Sequence, residues 1–300
     1  MKHFLAISLV LSIAVLATLG CSNEKALEPE SKHNEAPPLP SLSTMTIDLS
    51  LFKKAEVSKS SILKGNLSRE MLTASQALKT NFLNAAVRVL FLDVVVYSAL
   101  AEPVAAFSIA VQSVPQPQED GSYLWTYIFV DDKAEYSIFL YGKPYEDHVD
   151  WRMEVSSTDP EMLLEHFVWF DGTTYNDDSH GYWQFYEPAG PDSTVLLATI
   201  TNAPAPGVPC IRIDWENISK DEHRLVFLVN KEDDPAEGST LTFYESSSLC
   251  SVEFFDSAES TTGNITWYPD GSGSITWPDY NNGEKACWDE NQENVECVQE

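Results

Sequence analysis

Hydrophobic and polar positions alternate along most of this chain. In VDWRMEV, Val149, Trp151, Met153 and Val155 stand opposite Asp150, Arg152 and Glu154; in IRIDW, Ile211, Ile213 and Trp215 stand opposite Arg212 and Asp214. A period of two marks strands with one buried face. From Tyr123 onward such runs recur at 123–130, 135–141, 148–156, 165–171, 181–186, 194–201, 210–218, 224–230, 239–245, 250–256, 263–268 and 274–278. The gaps between them suit hairpins, so the pattern predicts an antiparallel meander rather than parallel strands joined by helices. NITWYPDGSGSITW, residues 264–277, is one such hairpin. Pro269-Asp270-Gly271 suits a type I turn ending in a left-handed glycine. That loop pairs Tyr268 with Ser272 and Ile265 with Ile275, while a symmetric five-residue loop would pair Trp267 with Ile275 instead. Either loop puts Ile265, Trp267, Ile275 and Trp277 on one face.

The first third reads differently. TMTIDLSL, residues 44–51, alternates and predicts a half-buried strand. Residues 68–100 contain no Gly or Pro, and 85–97 are apolar nearly all round, the mark of a core helix. Arg88 and Asp93 interrupt the apolar run, which argues against a membrane span; each must find a partner in the sheet or reach an edge. Pro103 is expected to break the helix, with 103–113 forming a second, shorter one. The fold class is therefore mainly β (α+β): a large curved antiparallel meander sheet or barrel of about twelve strands, packed on one long apolar helix plus a shorter one. So many strands do not stay comfortably open. In outline this is similar to outer-membrane lipoprotein carriers of the LolA and LolB kind, a curved antiparallel half-barrel with helices closing its mouth.

The N-terminus carries an address. Lys2 precedes an apolar stretch, Phe4 to Leu19, too short for a comfortable span and suited to a secretory signal. It ends Thr18-Leu19-Gly20-Cys21, which resembles the lipobox of bacterial lipoproteins, with Thr18 where leucine is usual. The resemblance implies removal of residues 1–20, acylation of Cys21, and a lipid bilayer as partner through the acyl chains. In a Gram-negative cell it implies export to the outer membrane. Residues 21–43 are polar and Pro-rich and are read as a disordered tether. Residues 44–118 and the acidic β region 119–300 then form one fold.

Charge sharpens this division. Residues 22–118 hold nine acidic and nine basic residues, whereas 119–300 hold 37 acidic and eight basic. Nucleic acid is excluded as a partner, since phosphate binding needs clustered Lys and Arg. The four remaining cysteines, Cys210, Cys250, Cys287 and Cys297, are even in number and suit two disulfides in an oxidising compartment. The sequence-local pairing is Cys210–Cys250 with Cys287–Cys297. Those loops would contribute about 4 and about 3 kcal/mol in the chain-entropy description.

Motifs for catalysis are missing: there is no Gly-x-Ser-x-Gly, His-Glu-x-x-His, phosphate loop or dinucleotide fingerprint. His148 lies among Glu146, Asp147 and Asp150, yet in so acidic a chain a carboxylate accompanies any histidine. Asn176, Asp178 and Glu187 fall at calcium-loop spacing, but Asn opens the series and a strand pattern follows, so a polar turn is the default and no metal or other cofactor is assigned. The aromatic strands carry more. Trp125, Tyr127 and Phe129 share one face of 123–130; Phe139 and Tyr141 lie on one face of 135–141. Strands apolar on both faces need cover or offer a surface to a ligand. The leading expectation is a non-enzymatic, membrane-tethered lipoprotein that binds an apolar or amphipathic ligand, such as a lipid, in its curved sheet through these five side chains. The alternative is a structural or interaction module of the envelope without a small-molecule ligand, and a secreted hydrolase comes third. A cavity would favour the first, a filled core with an exposed aromatic face the second, and a cleft joining His148 or His166 to a nucleophile the third.

Overall fold

The computed structural model of the chain describes residues 35–55, 76–130, 134–160, 163–188 and 207–298. Among these, fourteen strands, β1 to β14, form one antiparallel sheet in which every strand pairs with its neighbours in sequence. The strands used below are β1 (Gln116–Pro117), β2 (Tyr123–Val130), β3 (Glu135–Pro144), β4 (His148–Ser157), β5 (Leu164–Tyr175), β6 (His180–Pro188), β7 (Gly207–Ser219), β8 (Glu222–Val229), β9 (Thr240–Ser246), β10 (Cys250–Asp256), β11 (Thr261–Trp267), β12 (Gly273–Thr276), β13 (Ala286–Trp288) and β14 (Asn294–Val295). The meander is as expected, but the count of about twelve is corrected to fourteen. The additions, β1, β13 and β14, have two or three residues each, too few to show a period. The run at 194–201 lies outside the described residues. The sheet is open, with β1 and β14 as unjoined edges.

The 264–277 hairpin forms as its residues dictate. Ile265 pairs with Ile275, the Tyr268 amide donates to the Ser272 carbonyl at 2.9 Å, and Gly271 takes φ +91°. Only glycine holds that conformation without strain. Asp270 Oδ1 accepts from the Ser272 amide and hydroxyl, closing the turn.

Two elements cover the inner face. One is α2 (Thr80–Ala110), a helix of 31 residues. It packs on β2 and β3 near one edge and on β12, β13 and β14 at the other. The break expected at Pro103 is absent, and the expected shorter helix is the continuation of α2. Proline removes one backbone hydrogen bond, but Leu100 before it and Ala106, Phe107 and Ala110 beyond it are buried in the same core, which holds the helix on course. Residues 68–75 of the expected helix lie outside the described ones.

The other cover is the segment before α2. Residues 44–51 do not form a strand. A 3-10 turn at Leu42–Thr44 and a short helix, α1 (Ser50–Lys53), flank an extended stretch that pairs with no strand. The alternation holds only in part, since Thr44, expected to face outward, is buried, and Ile47 and Leu51, expected inward, are half-buried. Met45, Leu49 and Phe52 are fully buried while Thr46, Asp48 and Ser50 are exposed. Trp183 Nε1 donates to Thr44 Oγ1 at 3.1 Å, and Phe52 meets Phe82 and Trp267. Pro37, within the expected tether of residues 21–43, is also buried, and residues 21–34 of that stretch lie outside the described ones.

The indoles lie flat because glycines sit beneath them. Trp151 crosses Gly142, Trp183 crosses Gly172, and Trp215 crosses Gly181, so close that a Cβ there would stand 2.7, 2.5 and 2.8 Å from the ring. Trp277 over Gly263 and Trp288 over Gly273 are closer still.

Polar contacts clamp the start of α2 to the last strands. Arg88, its side chain 4% exposed, reaches Asp279 at 2.6 Å and Asn84 Oδ1 at 3.0 Å, between the rings of Trp277 and Tyr280. Lys79 at the N-cap supplies no side-chain cap; instead Asn294 Oδ1 accepts from the Asn81 amide at 2.9 Å, a cap delivered from 213 residues away. Asp93 is half-buried, and burial raises its carboxyl above the ordinary 3.8 despite the pull of Lys53.

Two measurements check this packing. Gly172→Ala should destabilise the fold by about 1–3 kcal/mol in urea unfolding, the usual cost of overpacking. A raised carboxyl contributes stability below its unfolded pKa and loses it as pH rises through the folded value. Asp93→Asn should therefore stabilise at pH 7 and change little at pH 3.

Candidate functional site

The five aromatic side chains expected to form a ligand site do not converge. The register pairs Tyr123, Trp125, Tyr127 and Phe129 with Gly142, Leu140, Ile138 and Tyr136, all on the inner face. Trp125 is 2% exposed and packs against Trp151 at 5.8 Å, so it is core. Tyr127 is exposed, whereas Phe129 is partly buried against the core. Phe129 stacks on Tyr136 at 4.7 Å and lies 6.2 Å from Tyr127. Phe139 and Tyr141 project from the opposite face, as strand alternation requires, where Phe139 pairs across from Glu154 and Tyr141 from Arg152.

That outer face holds an ionic cluster. Glu154, its side chain 7% exposed, is paired with Arg152 and accepts from His166 Nδ1 at 2.9 Å, while Phe139 stacks on the imidazole at 5.1 Å. His166 adopts φ 48° beside an irregularity in the β4–β5 register, which turns its ring toward Glu154. One row further, Tyr186 donates to Asp171 at 2.8 Å, and burial raises the Asp171 carboxyl. The Glu154–His166 pair orients an imidazole as a catalytic dyad would, but the hydroxyl in contact, Ser156 Oγ, accepts from the His166 backbone amide rather than facing the ring.

The other histidines fare similarly. His148 Nδ1 meets Asp147 at 2.6 Å and its ring stacks on Tyr145. His180 Nδ1 lies 2.7 Å from Ser179 Oγ, whose hydroxyl donates to Asp177 Oδ1 at 2.6 Å rather than to the imidazole. His33 lies outside the described residues.

A cavity of about 640 Å³ opens among the loops at this end of the sheet, lined by Asp177, Asp178, Asn217, Asp221, His223 and Glu245 among others. His223 spans its wall. Asn217 Nδ2 donates to the Asp178 carbonyl at 2.6 Å, which turns Asn217 Oδ1 toward His223 Nδ1 at 2.8 Å. His223 Nε2 faces the Ser43 carbonyl at 3.0 Å. Both ring nitrogens thus face oxygen atoms of neighbouring residues. This contact ties the segment bearing Met45 and Phe52 to the β7–β8 turn.

The calcium-like spacing is not realised. Asn176 donates to the Glu146 carbonyl, Asp178 belongs to the turn, and Glu187 pairs with Lys231 at the far end of β6. Seven residues of strand, about 23 Å, separate the two ends. Among the described residues, no three His, Cys, Asp or Glu side chains gather as around a metal ion.

The disulfide expectation holds for Cys287–Cys297 and is corrected for Cys210–Cys250, whose thiols are free. The meander separates them. Cys210 is level with Asn230 at one end of β8, and Cys250 is level with Glu245, which pairs with His223 at the other. Two strands, β8 and β9, intervene as well, and the three interstrand steps span about 14 Å, far beyond disulfide reach. Burial pushes both thiols up to about 11.

Among the residues with an exposed role, Ile128, Val130 and Tyr136 were not singled out from the sequence; the signal available was a strand apolar on both faces, since Ile128 and Val130 alternate with Tyr127 and Phe129. No family model matches the chain, and neither a curated protein nor a solved structure matches it.

If the Ser43–His223 contact holds the covering segment down, His223→Ala should speed amide exchange across residues 43–49 at least several-fold while the β10–β11 amides stay protected. Equal exchange would assign the hold to Met45, Leu49 and Phe52 alone.

Proposed function

We propose that this chain is a non-enzymatic lipoprotein of a bacterial envelope, anchored in the outer membrane of a Gram-negative cell through acylated Cys21, and that it works as an interaction module rather than as a carrier with an internal ligand. The observation that supports the module over the carrier is the filled inner face. Trp125, Trp151, Trp183, Phe170, Phe185 and Phe243 are at most 2% exposed, beneath α2, Met45, Leu49 and Phe52. A ligand held in the curve of the sheet would need that space. We read the sheet as curled round α2, since one helix touches strands near both edges, but its interior is side chain.

What stays available is the periphery. The end of β2 exposes Tyr127, Ile128 and Val130, and the acidic loops surround the cavity. The anchor sets the reach of such a module: fifteen residues from Cys21 to Ala36 extend at most about 50 Å, so the domain works close to the bilayer. Its net charge of −28 disfavours adsorption to anionic headgroups and leaves contact to a specific surface.

Gentle extraction followed by native mass spectrometry should show a chain lacking residues 1–20, with acyl mass at Cys21 and no further bound lipid. Cys21→Ser should move the protein out of the membrane fraction. Stoichiometric non-covalent lipid would reinstate the carrier, and a Cys21→Ser protein that stays membrane-bound would remove the anchor.

A further inference from the structure

The sheet has two edges, and they differ. β14 is two residues long, Asn294–Val295, and a short edge offers little to pair with. β2 is eight residues long, and β1 covers only its first two, through Gln116↔Leu124 and Pro117↔Tyr123. The covering chain reads Val114-Pro115-Gln116-Pro117. Its two prolines have no N–H to give a ladder, and Val114 before them is exposed. Beyond Leu124 no strand among the described residues pairs with this side of β2.

The direction of the backbone groups there follows from the ladder. The Gln118 amide donates to the Ser122 carbonyl at 2.8 Å, so Ser122 faces β1. In an antiparallel sheet that orientation recurs at every second residue. The N–H and C=O groups of Thr126, Ile128 and Val130 therefore point out of the open edge, while β3 occupies the other side as far as Val130↔Glu135. Between residues 125 and 130 there is no proline, lysine or register shift, the usual devices that blunt an edge. The side chains there are apolar and exposed: Tyr127 37%, Ile128 56% and Val130 70%.

Charge says what fits. Residues 119–135 contain Glu119, Asp120, Asp131, Asp132 and Glu135 against Lys133 alone, with the acids before and after the apolar run. We propose that the open edge of β2, Thr126 to Val130, receives an extended segment of a partner protein as an added strand, apolar at alternate positions and flanked by Lys or Arg. Main-chain hydrogen bonds supply the affinity in such an arrangement, alternate side chains and end charges the specificity. A second copy of this chain fits less well, because antiparallel self-pairing brings the carboxylates of each copy beside those of the other. The proposal rests on the module reading and names the chemistry of its partner.

The test uses the full acylated chain in detergent micelles and fluorescent peptides, read by anisotropy at low salt. The probes are KKTVTVTVKK, its acidic counterpart EETVTVTVEE, and the basic peptide N-methylated at alternate residues. The basic peptide should bind, with protection of the Thr126, Ile128 and Val130 amides from exchange. The acidic and N-methylated forms should bind at least tenfold more weakly. Ile128→Pro removes the central outward N–H and should weaken binding of the basic peptide at least tenfold. Ile128→Lys, which keeps the N–H but charges the edge, should weaken it too, and unchanged unfolding midpoints show that both variants fold. Failure of the basic peptide to bind, equal binding of its N-methylated form, or indifference to Ile128→Pro would overturn the edge proposal. A dimer in sedimentation velocity that Ile128→Pro abolishes would overturn it in favour of self-pairing. None of these outcomes touches the lipid result that decides between module and carrier, so the two readings fail separately.

Discussion

Tryptophan lying flat on glycine is the contact on which the rest of this structure depends. One helix and one short segment must cover the inner face of a fourteen-stranded sheet, and they can do so only if that face is low. An indole standing upright would hold a helix away and leave voids, and voids forfeit dispersion contacts on every side. Trp151, Trp183 and Trp215 instead lie across Gly142, Gly172 and Gly181 on neighbouring strands, filling area without height. Trp277 and Trp288 repeat the device near the start of α2. There it also provides the ring against which Arg88 is held.

The second constraint is polar and long-range. The sheet does not close on itself, so its last strands are held by what they touch. Asn81 donates to the Cys287 carbonyl at 2.6 Å, Asn294 caps the helix, and the Cys287–Cys297 disulfide holds the loop that presents Asn294. Arg88 gains a carboxylate at the rim in Asp279, which is more than half exposed. A buried guanidinium without that partner would be costly, so the C-terminal strands and the helix order each other.

Together these constraints move function outward. With the interior occupied by aromatic side chains, chemistry and recognition are left to edges, loops and the outer face. The outer face has its own logic in Glu154, Arg152 and His166, an ionic group with no nucleophile at the imidazole, in which Arg152 Nε is left without a hydrogen-bond partner. The loops carry carboxylates and a cavity. The β2 edge combines exposed apolar side chains with outward-facing backbone groups over a longer run than the two-residue β14.

How much of this lay in the sequence can be said residue by residue. Alternation located the long strands, and the Pro269-Asp270-Gly271 turn determined both its own register and the shared face of Ile265 and Trp267, because local sterics leave a glycine few rivals at φ +91°. Apolar positions all round residues 85–97 marked a helix, but only its first part is core: Val94, Val95 and Tyr97 are 43%, 46% and 68% exposed. Met45, Ile47 and Leu49 determined which side chains turn inward but not what their backbone pairs with; that depended on whether a strand edge was free beside them. Cysteine parity marked a disulfide, while the pairing depended on strand order, which carried Cys210 and Cys250 to opposite ends of the sheet. Likewise, composition marked 123–141 as aromatic-rich. Only the tertiary structure decided that Trp125 is core, Phe139 is on the far face, and Thr126 to Val130 form an open edge. Periodicity is a property of neighbours along the chain, whereas coverage and edges depend on residues hundreds of positions away.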